Sequence, residues 1–122
     1  MTKKLILAAF LLGMPLAAAN AMDLATFVTK ADALEKKGMM ALFSSDYKLL
    51  KGEIETASAQ LRAERTAAQK ARRPMAYCPP AKSGLGVKEL LANFRSVPAA
   101  QRQRLQVKDA LRNLLARKYP CR

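Results

Sequence analysis

Residues 77–121 read YCPPAKSGLGVKELLANFRSVPAAQRQRLQVKDALRNLLARKYPC, and this stretch decides the fold. It holds two apolar faces at helical spacing. The first comprises Val87, Leu90, Leu91 and Phe94, and the second comprises Ala100, Val107, Leu111, Leu114 and Leu115. Proline suits the first turn of a helix and cannot extend one. We therefore expect one helix after Val87 and another from Pro98 to about Lys118, folded as an antiparallel hairpin.

The residues before this hairpin predict a first helix early in the chain. Asp23 is a good N-cap, and Gly38 can end the helix. Between them an apolar face recurs at helical spacing, formed by Leu24, Phe27, Val28, Ala31 and Leu34. The next five residues, 39–43, are apolar and suffice for one helical turn.

A second, long helix is expected from about Asp46 to Arg72. Its first half has an apolar stripe of Tyr47, Leu50, Ile54, Ala57 and Leu61. The same stripe continues through Arg65, Ala68 and Arg72, so residues 62–73 should project beyond the core or lie on a partner. The chain as a whole is predicted to be all-α, a small bundle of about four helices closed by one disulfide.

The first 21 residues have the three parts of a secretory signal peptide. Residues 3–4 are lysines, residues 5–12 are an unbroken apolar run, and a small-residue A-N-A sequence ends at Ala21. A membrane span needs about 20 apolar residues, whereas glycine and proline interrupt this run at residues 13–15. We expect cleavage near Ala21, a single helical domain over residues 22–122, and a periplasmic or secreted protein that does not span the membrane.

The chain has two cysteines, Cys78 and Cys121. Cysteines in an oxidising compartment usually pair, and the hairpin brings these two together because one precedes its first helix and the other follows its second. We therefore predict a disulfide between them. The chain has no histidine, and two thiols cannot fill a tetrahedral metal site. Neither a metal nor another cofactor is expected.

The positive charge lies almost entirely in the second half of the chain. Residues 22–61 hold five basic and six acidic side chains, whereas residues 62–122 hold 15 basic and three acidic ones. Outside the cytoplasm the available anions are lipid head groups, cell-wall carboxylates and acidic protein surfaces, and no nucleic acid is expected. The candidate contact residues are Arg62, Arg65, Arg72 and Arg73. The alternative is a solvated basic face without a dedicated partner.

Leu105 is a further candidate for a partner contact. On one continuous helix it would point away from the core face, on the same stripe as Lys108 and Arg112. In one interpretation the three residues form an apolar anchor within a basic surface. In the other, Leu105 packs under the loop at residues 79–86 or is a lone exposed leucine.

The composition argues against an enzyme. Without histidine, the chain cannot build a Ser-His-Asp or Cys-His nucleophilic site. Glu53 and Glu55 lie on different sides of a helix and cannot form a facing acid–base pair. Asp46, Glu53 and Glu64 are instead expected to pair with neighbouring bases. No catalytic residue is assigned, and a binding or protective role remains.

Several features of residues 77–121 agree with a known family. They are the YCPP start, a glycine-containing turn at residues 84–86, Pro98 before the last helix, and the Tyr-Pro-Cys ending at Cys121. The stretch resembles the second half of the Rap/Tai family, small periplasmic immunity proteins of type VI secretion systems. The resemblance implies binding and blocking of a cell-wall amidase toxin, often as a helical homodimer. The further cysteines that family members usually carry in the N-terminal half have no counterpart here.

The leading hypothesis is therefore a protein that binds and sterically occludes a toxin. Two alternatives follow from the same residues. One is a periplasmic stress or chaperone-like protein, and the other is a basic module that binds the acidic envelope surface.

Overall fold

The computed structural model describes residues 21–122, so the predicted signal peptide lies outside the described residues except for Ala21. The described chain is all-α, as predicted. It forms α1 (Leu24–Lys37), a 3₁₀ segment (Gly38–Phe43), α2 (Ser45–Lys70), α3 (Val87–Ser96), α4 (Ala99–Arg102) and α5 (Val107–Lys118). Helix α2 packs against both α1 and α5, and α3 packs against α1 and α5.

The ends of the first two helices follow from local hydrogen bonds. The Asp23 carboxylate accepts a hydrogen bond from the Thr26 backbone N–H at 2.7 Å, which satisfies a donor left open at the start of α1. Gly38 ends α1 with φ of 58°, a conformation that glycine adopts without strain. The Ser44 hydroxyl accepts from the Asp46 N–H at 3.2 Å and starts α2.

One hydrophobic core joins these helices. Its most deeply buried side chains are Phe94, Leu24, Leu61, Leu111 and Val107. The apolar face predicted for α1 is buried at all five positions. Phe27 and Phe94 meet edge to face with ring centres 5.4 Å apart, a favoured aromatic geometry.

The prediction of one continuous helix from Pro98 to Lys118 is wrong. The chain forms the short helix α4, breaks at residues 103–106, and begins α5 at Val107. Two backbone bonds explain the break, because the Leu24 N–H donates to the Leu105 carbonyl at 2.8 Å and the Val107 N–H donates to the Met22 carbonyl at 2.9 Å. These bonds require an extended backbone at Gln106, which a continuing helix would not provide.

Three residues predicted for the apolar faces lie outside the core. Tyr47 is 37% exposed and Val87 is 72% exposed, and Ala100 is exposed as well. Each belongs to the first turn of its helix. The regular spacing therefore identifies the buried face correctly but extends it too far towards the helix starts.

The predicted disulfide between Cys78 and Cys121 is confirmed, with Cα atoms 5.0 Å apart. It connects the loop at residues 71–86 to the end of the chain after α5. The same two segments are also joined by a backbone hydrogen bond of 2.8 Å from the Cys78 N–H to the Tyr119 carbonyl.

Candidate binding surfaces

A run of exposed apolar side chains follows α1, and we call residues 39–43 the apolar segment. The exposed fractions are 80% for Met39, 67% for Met40, 51% for Leu42 and 82% for Phe43. Only Ala41 of this segment packs against the core. A contiguous apolar patch on a small protein usually marks a contact with another molecule.

Helix ends hold the apolar segment in this exposed position. Gly38 turns the chain away from α1, and Ser44 caps α2 immediately afterwards. The six residues from Gly38 to Phe43 form a 3₁₀ helix between these two points. Because this helix has only three residues per turn, a segment anchored on Ala41 leaves its other side chains in solvent.

An apolar groove adjoins the apolar segment through Gly38 and Ala41. It has a volume of about 480 Å³ and lies between α1, α2 and α3. Its apolar walls include Phe27, Leu34, Leu50, Ile54, Leu90 and Leu91. We call the apolar segment and this groove together the apolar surface.

The charges around the groove are paired within the chain. Lys51 lies 3.9 Å from Glu55, and the Arg95 guanidinium lies 3.0 Å from Glu35 and 2.8 Å from Asp32. The ion pair with Glu35, followed by that with Asp32, raises the pKa of Arg95 against the opposing effect of burial. The edge of the groove is therefore polar, and its two cationic side chains are both engaged with carboxylates of the same chain.

The four candidate arginines lie at or just beyond the C-terminal end of α2. Arg62, Arg72 and Arg73 are exposed, and α2 ends at Lys70. Arg65 differs, because it is half-buried and its guanidinium carbon lies 5.5 Å from the centre of the Tyr77 ring. Beyond Leu61, the last buried residue of α2, the helix is mostly exposed, but a cation–π contact holds Arg65 against the loop.

Glu64 connects this end of α2 to α5. Its carboxylate binds Lys108 and lies 3.1 Å from Arg112, which also binds Asp109 at 3.0 Å. The Lys108 hydrogen bond lowers the pKa of Glu64 despite some burial, and Arg112 adds to the effect. Burial opposes the charge on Arg112, but hydrogen bonds with Glu64 and Asp109 raise its pKa overall.

These contacts bear on three of the candidate residues. Lys108 and Arg112 are engaged with acidic groups of the same chain. Leu105 lies in the break between α4 and α5, where it is half-buried and packs against the core. Its predicted orientation away from the core is wrong, because the helical spacing used to derive it does not run through the break.

The expected pairing of acidic residues is confirmed in two cases. Asp46 lies 3.1 Å from Lys30, and Glu64 binds the two bases of α5. Glu53 instead accepts a hydrogen bond from the Met22 backbone nitrogen at 3.4 Å. No cluster of three or more potential metal ligands occurs within residues 21–122.

The apolar surface was not predicted from the sequence. The available signal is the run MMALF between Gly38 and Ser44, five consecutive apolar residues with no helical or strand periodicity. Such a run is compatible with a buried turn as well as an exposed one. Only the positions of α1 and α2 show that it faces solvent.

No protein-family model, characterised protein or solved structure matches this chain significantly. Among the described residues, no helix has both the length and the apolar character required to cross a membrane. The resemblance of residues 77–121 to immunity proteins therefore supplies a hypothesis for function and not an assignment.

Proposed function

We propose that this chain is an exported binding protein that blocks a cell-wall amidase toxin by covering it with the apolar surface. The observation that carries the proposal is the exposure of the apolar segment, above all of Phe43 at 82% and Met39 at 80%. The resemblance of residues 77–121 to Rap/Tai immunity proteins supplies the toxin class.

The apolar surface has the properties of a protein contact. Complete burial of one large apolar side chain contributes about 1.5–3 kcal/mol, and four such side chains are exposed together in the apolar segment. Methionine adapts its shape to a partner, while an aromatic anchor such as Phe43 suits the centre of an interface. The adjoining groove offers a concave site of about 480 Å³ for side chains of the partner.

Steric occlusion also fits the way in which the apolar surface is supported. The groove walls include the core residues Phe27, Leu34, Leu50 and Leu90. A surface built on packed helices loses little conformational entropy when it binds. Blocking a toxin in this way requires shape and burial but no catalytic group.

The test is inhibition of an amidase encoded beside the gene for this chain. The purified mature chain should form a one-to-one complex with that enzyme and stop its hydrolysis of peptidoglycan. Phe43→Asp should weaken inhibition by about 30-fold, the effect of losing one interface hot spot of about 2 kcal/mol. Its thermal midpoint should stay near that of the wild type, because Phe43 is exposed.

Ala81→Asp is the matched control, since it adds the same charge to an exposed position in the loop at residues 71–86. It should inhibit the amidase as the wild type does. The proposal fails if no amidase is encoded beside the gene, if the wild-type chain leaves that enzyme active, or if Phe43→Asp inhibits as well as Ala81→Asp.

A chaperone-like role is the second candidate, because an exposed methionine-rich surface also suits unfolded clients. In that case the chain should suppress the aggregation of reduced insulin, and Phe43→Asp should abolish the effect. Saturation at one chain per amidase, with no effect on insulin aggregation, favours the toxin-blocking function instead.

A further inference from the structure

A second concave site lies at the other end of α2. This cavity has a volume of about 350 Å³ and is enclosed by the end of α2, the following loop and α5. Its walls include Leu61, Arg65, Ala68, Arg73, Tyr77 and Arg112. We call it the arginine cavity.

The arginine cavity has an excess of positive charge. Glu64 also lines it, but Lys108 and Arg112 compensate the charges of Glu64 and Asp109. Arg65 and Arg73 form no ion pair within residues 21–122. Two guanidinium groups are therefore available to an anion at this site.

Tyr77 supplies a further hydrogen-bonding group at this site. The residue is only 6% exposed. None of the side-chain hydrogen bonds within residues 21–122 involves its hydroxyl group. This hydroxyl is not among the fully enclosed polar atoms of the described residues, so it reaches solvent and is open to a ligand. Tyr77 also lines the cavity, which places an unused hydrogen-bonding group beside the two free arginines.

We propose that the arginine cavity binds a carboxylate carried by a short peptide. Arg65 and Arg73 bind the carboxylate oxygens, a geometry for which the guanidinium group is well suited. The Tyr77 hydroxyl donates a further hydrogen bond. The carboxylate is either the free C-terminus of the peptide or an acidic side chain.

The size and walls of the cavity favour a peptide over an inorganic ion. A volume of about 350 Å³ lies in the range of sites for small organic molecules and exceeds the space that one phosphate fills. Part of the wall is formed by Ala67, Ala68 and Ala76. These small apolar side chains can contact the short aliphatic part of a ligand whose carboxylate lies on the arginines.

Titration of isotope-labelled chain, followed by NMR, tests the proposal without any toxin. The probes are N-acetyl-Ala-Ala with a free C-terminal carboxylate, the same peptide as its C-terminal amide, N-acetyl-Ala-Glu-amide, and inorganic phosphate. The free carboxylate or the glutamate peptide should shift the Arg65 and Arg73 side-chain signals and bind at least about tenfold more tightly than the uncharged amide. The acidic peptide that binds more tightly shows whether the carboxylate is a C-terminus or an acidic side chain.

Substitutions then locate the binding site. Arg65→Gln and Arg73→Gln should each weaken peptide binding by at least about tenfold, and Tyr77→Phe should weaken it by a smaller factor. Because Arg65 also packs on Tyr77, the exposed Arg73 provides the variant that preserves the fold. Arg104→Gln is the control, since it removes an exposed arginine that does not line the cavity.

Three results would overturn the proposal. The first is equal binding of the acidic peptides and the uncharged amide. The second is an Arg104→Gln variant that loses as much affinity as Arg73→Gln does. The third is phosphate binding as tight as peptide binding, which would reduce the site to a general anion contact. None of these results depends on whether the chain blocks an amidase.

Discussion

Reduction of the Cys78–Cys121 disulfide should destabilise the protein strongly without unfolding it at room temperature. The bond joins residues separated by 43 positions. Loop-closure entropy for a loop of this length corresponds to a stabilisation of about 4 kcal/mol, an upper value from which native strain subtracts. A change of 1 kcal/mol in the free energy of unfolding shifts the thermal midpoint of a domain of 60–100 residues by about 4–8 °C. The thermal midpoint should therefore fall by about 15–30 °C.

The reduced chain should keep its helices at 25 °C because other contacts hold the same segments. Leu111 and Leu114 of α5 are buried in the core. The Lys118 ammonium lies 2.7 Å from Glu89, and the Cys78 N–H donates to the Tyr119 carbonyl. The main effect of reduction is therefore a larger entropy of the unfolded chain, as the loop-closure model describes.

Circular dichroism during heating measures this effect on three samples: the oxidised chain, the chain in reductant, and the Cys78→Ser/Cys121→Ser double variant. The last two should unfold at similar temperatures, well below the first, and reductant should leave the double variant unchanged. Equal midpoints for oxidised and reduced chain would refute the reasoning. Two reactive thiols in denatured, non-reduced protein would contradict the bond itself.

Two further predictions concern single contacts. Glu64→Gln should cost about 1 kcal/mol or less at pH 7, because the carboxylate is half exposed and such pairs are screened by solvent. The contact with Lys108 lowers the pKa of Glu64 in the folded chain. The stabilisation is therefore present above the unfolded pKa and is lost as the pH falls through the folded pKa. Urea titrations should show a smaller difference between wild type and variant at pH 3 than at pH 7, and a difference independent of pH would contradict this origin. Leu105→Asp should reduce the free energy of unfolding by about 1–3 kcal/mol, because Leu105 packs on the core. The thermal midpoint should fall accordingly. The exposed Gln103→Asp should have little effect, and equal midpoints for the two variants would disprove the packing of Leu105.

Local signals predicted much of the fold because many of the determining contacts are local. Asp23 and Gly38 set the ends of α1 through their own side chain and backbone, and the face between them repeats regularly. The break before α5 was not predictable in this way. It depends on backbone bonds from residues 105–107 to Met22 and Leu24, which are distant in sequence and leave no trace in side-chain spacing.

The candidate sites also depend on contacts that side-chain spacing does not predict. Arginine in a continuing helical stripe indicates a solvated face, but Arg72 is exposed in the loop beyond the end of α2. Arg65 is instead half-buried because the loop after α2 returns and places Tyr77 beneath its guanidinium. The arginine cavity is thus formed by a loop whose path the sequence pattern does not specify.

Helix α2 separates the two proposed sites, and this separation makes their tests independent. Phe43 lies just before α2 begins at Ser45, and Arg65 of the arginine cavity lies 20 residues further along this helix. At a rise of about 1.5 Å per residue, Ser45 and Arg65 lie about 30 Å apart. Substitutions at such a distance usually act additively, so Phe43→Asp should leave peptide binding unchanged. A variant that lost both activities would indicate a damaged fold, because the sites share the packing of α2 but no side chain.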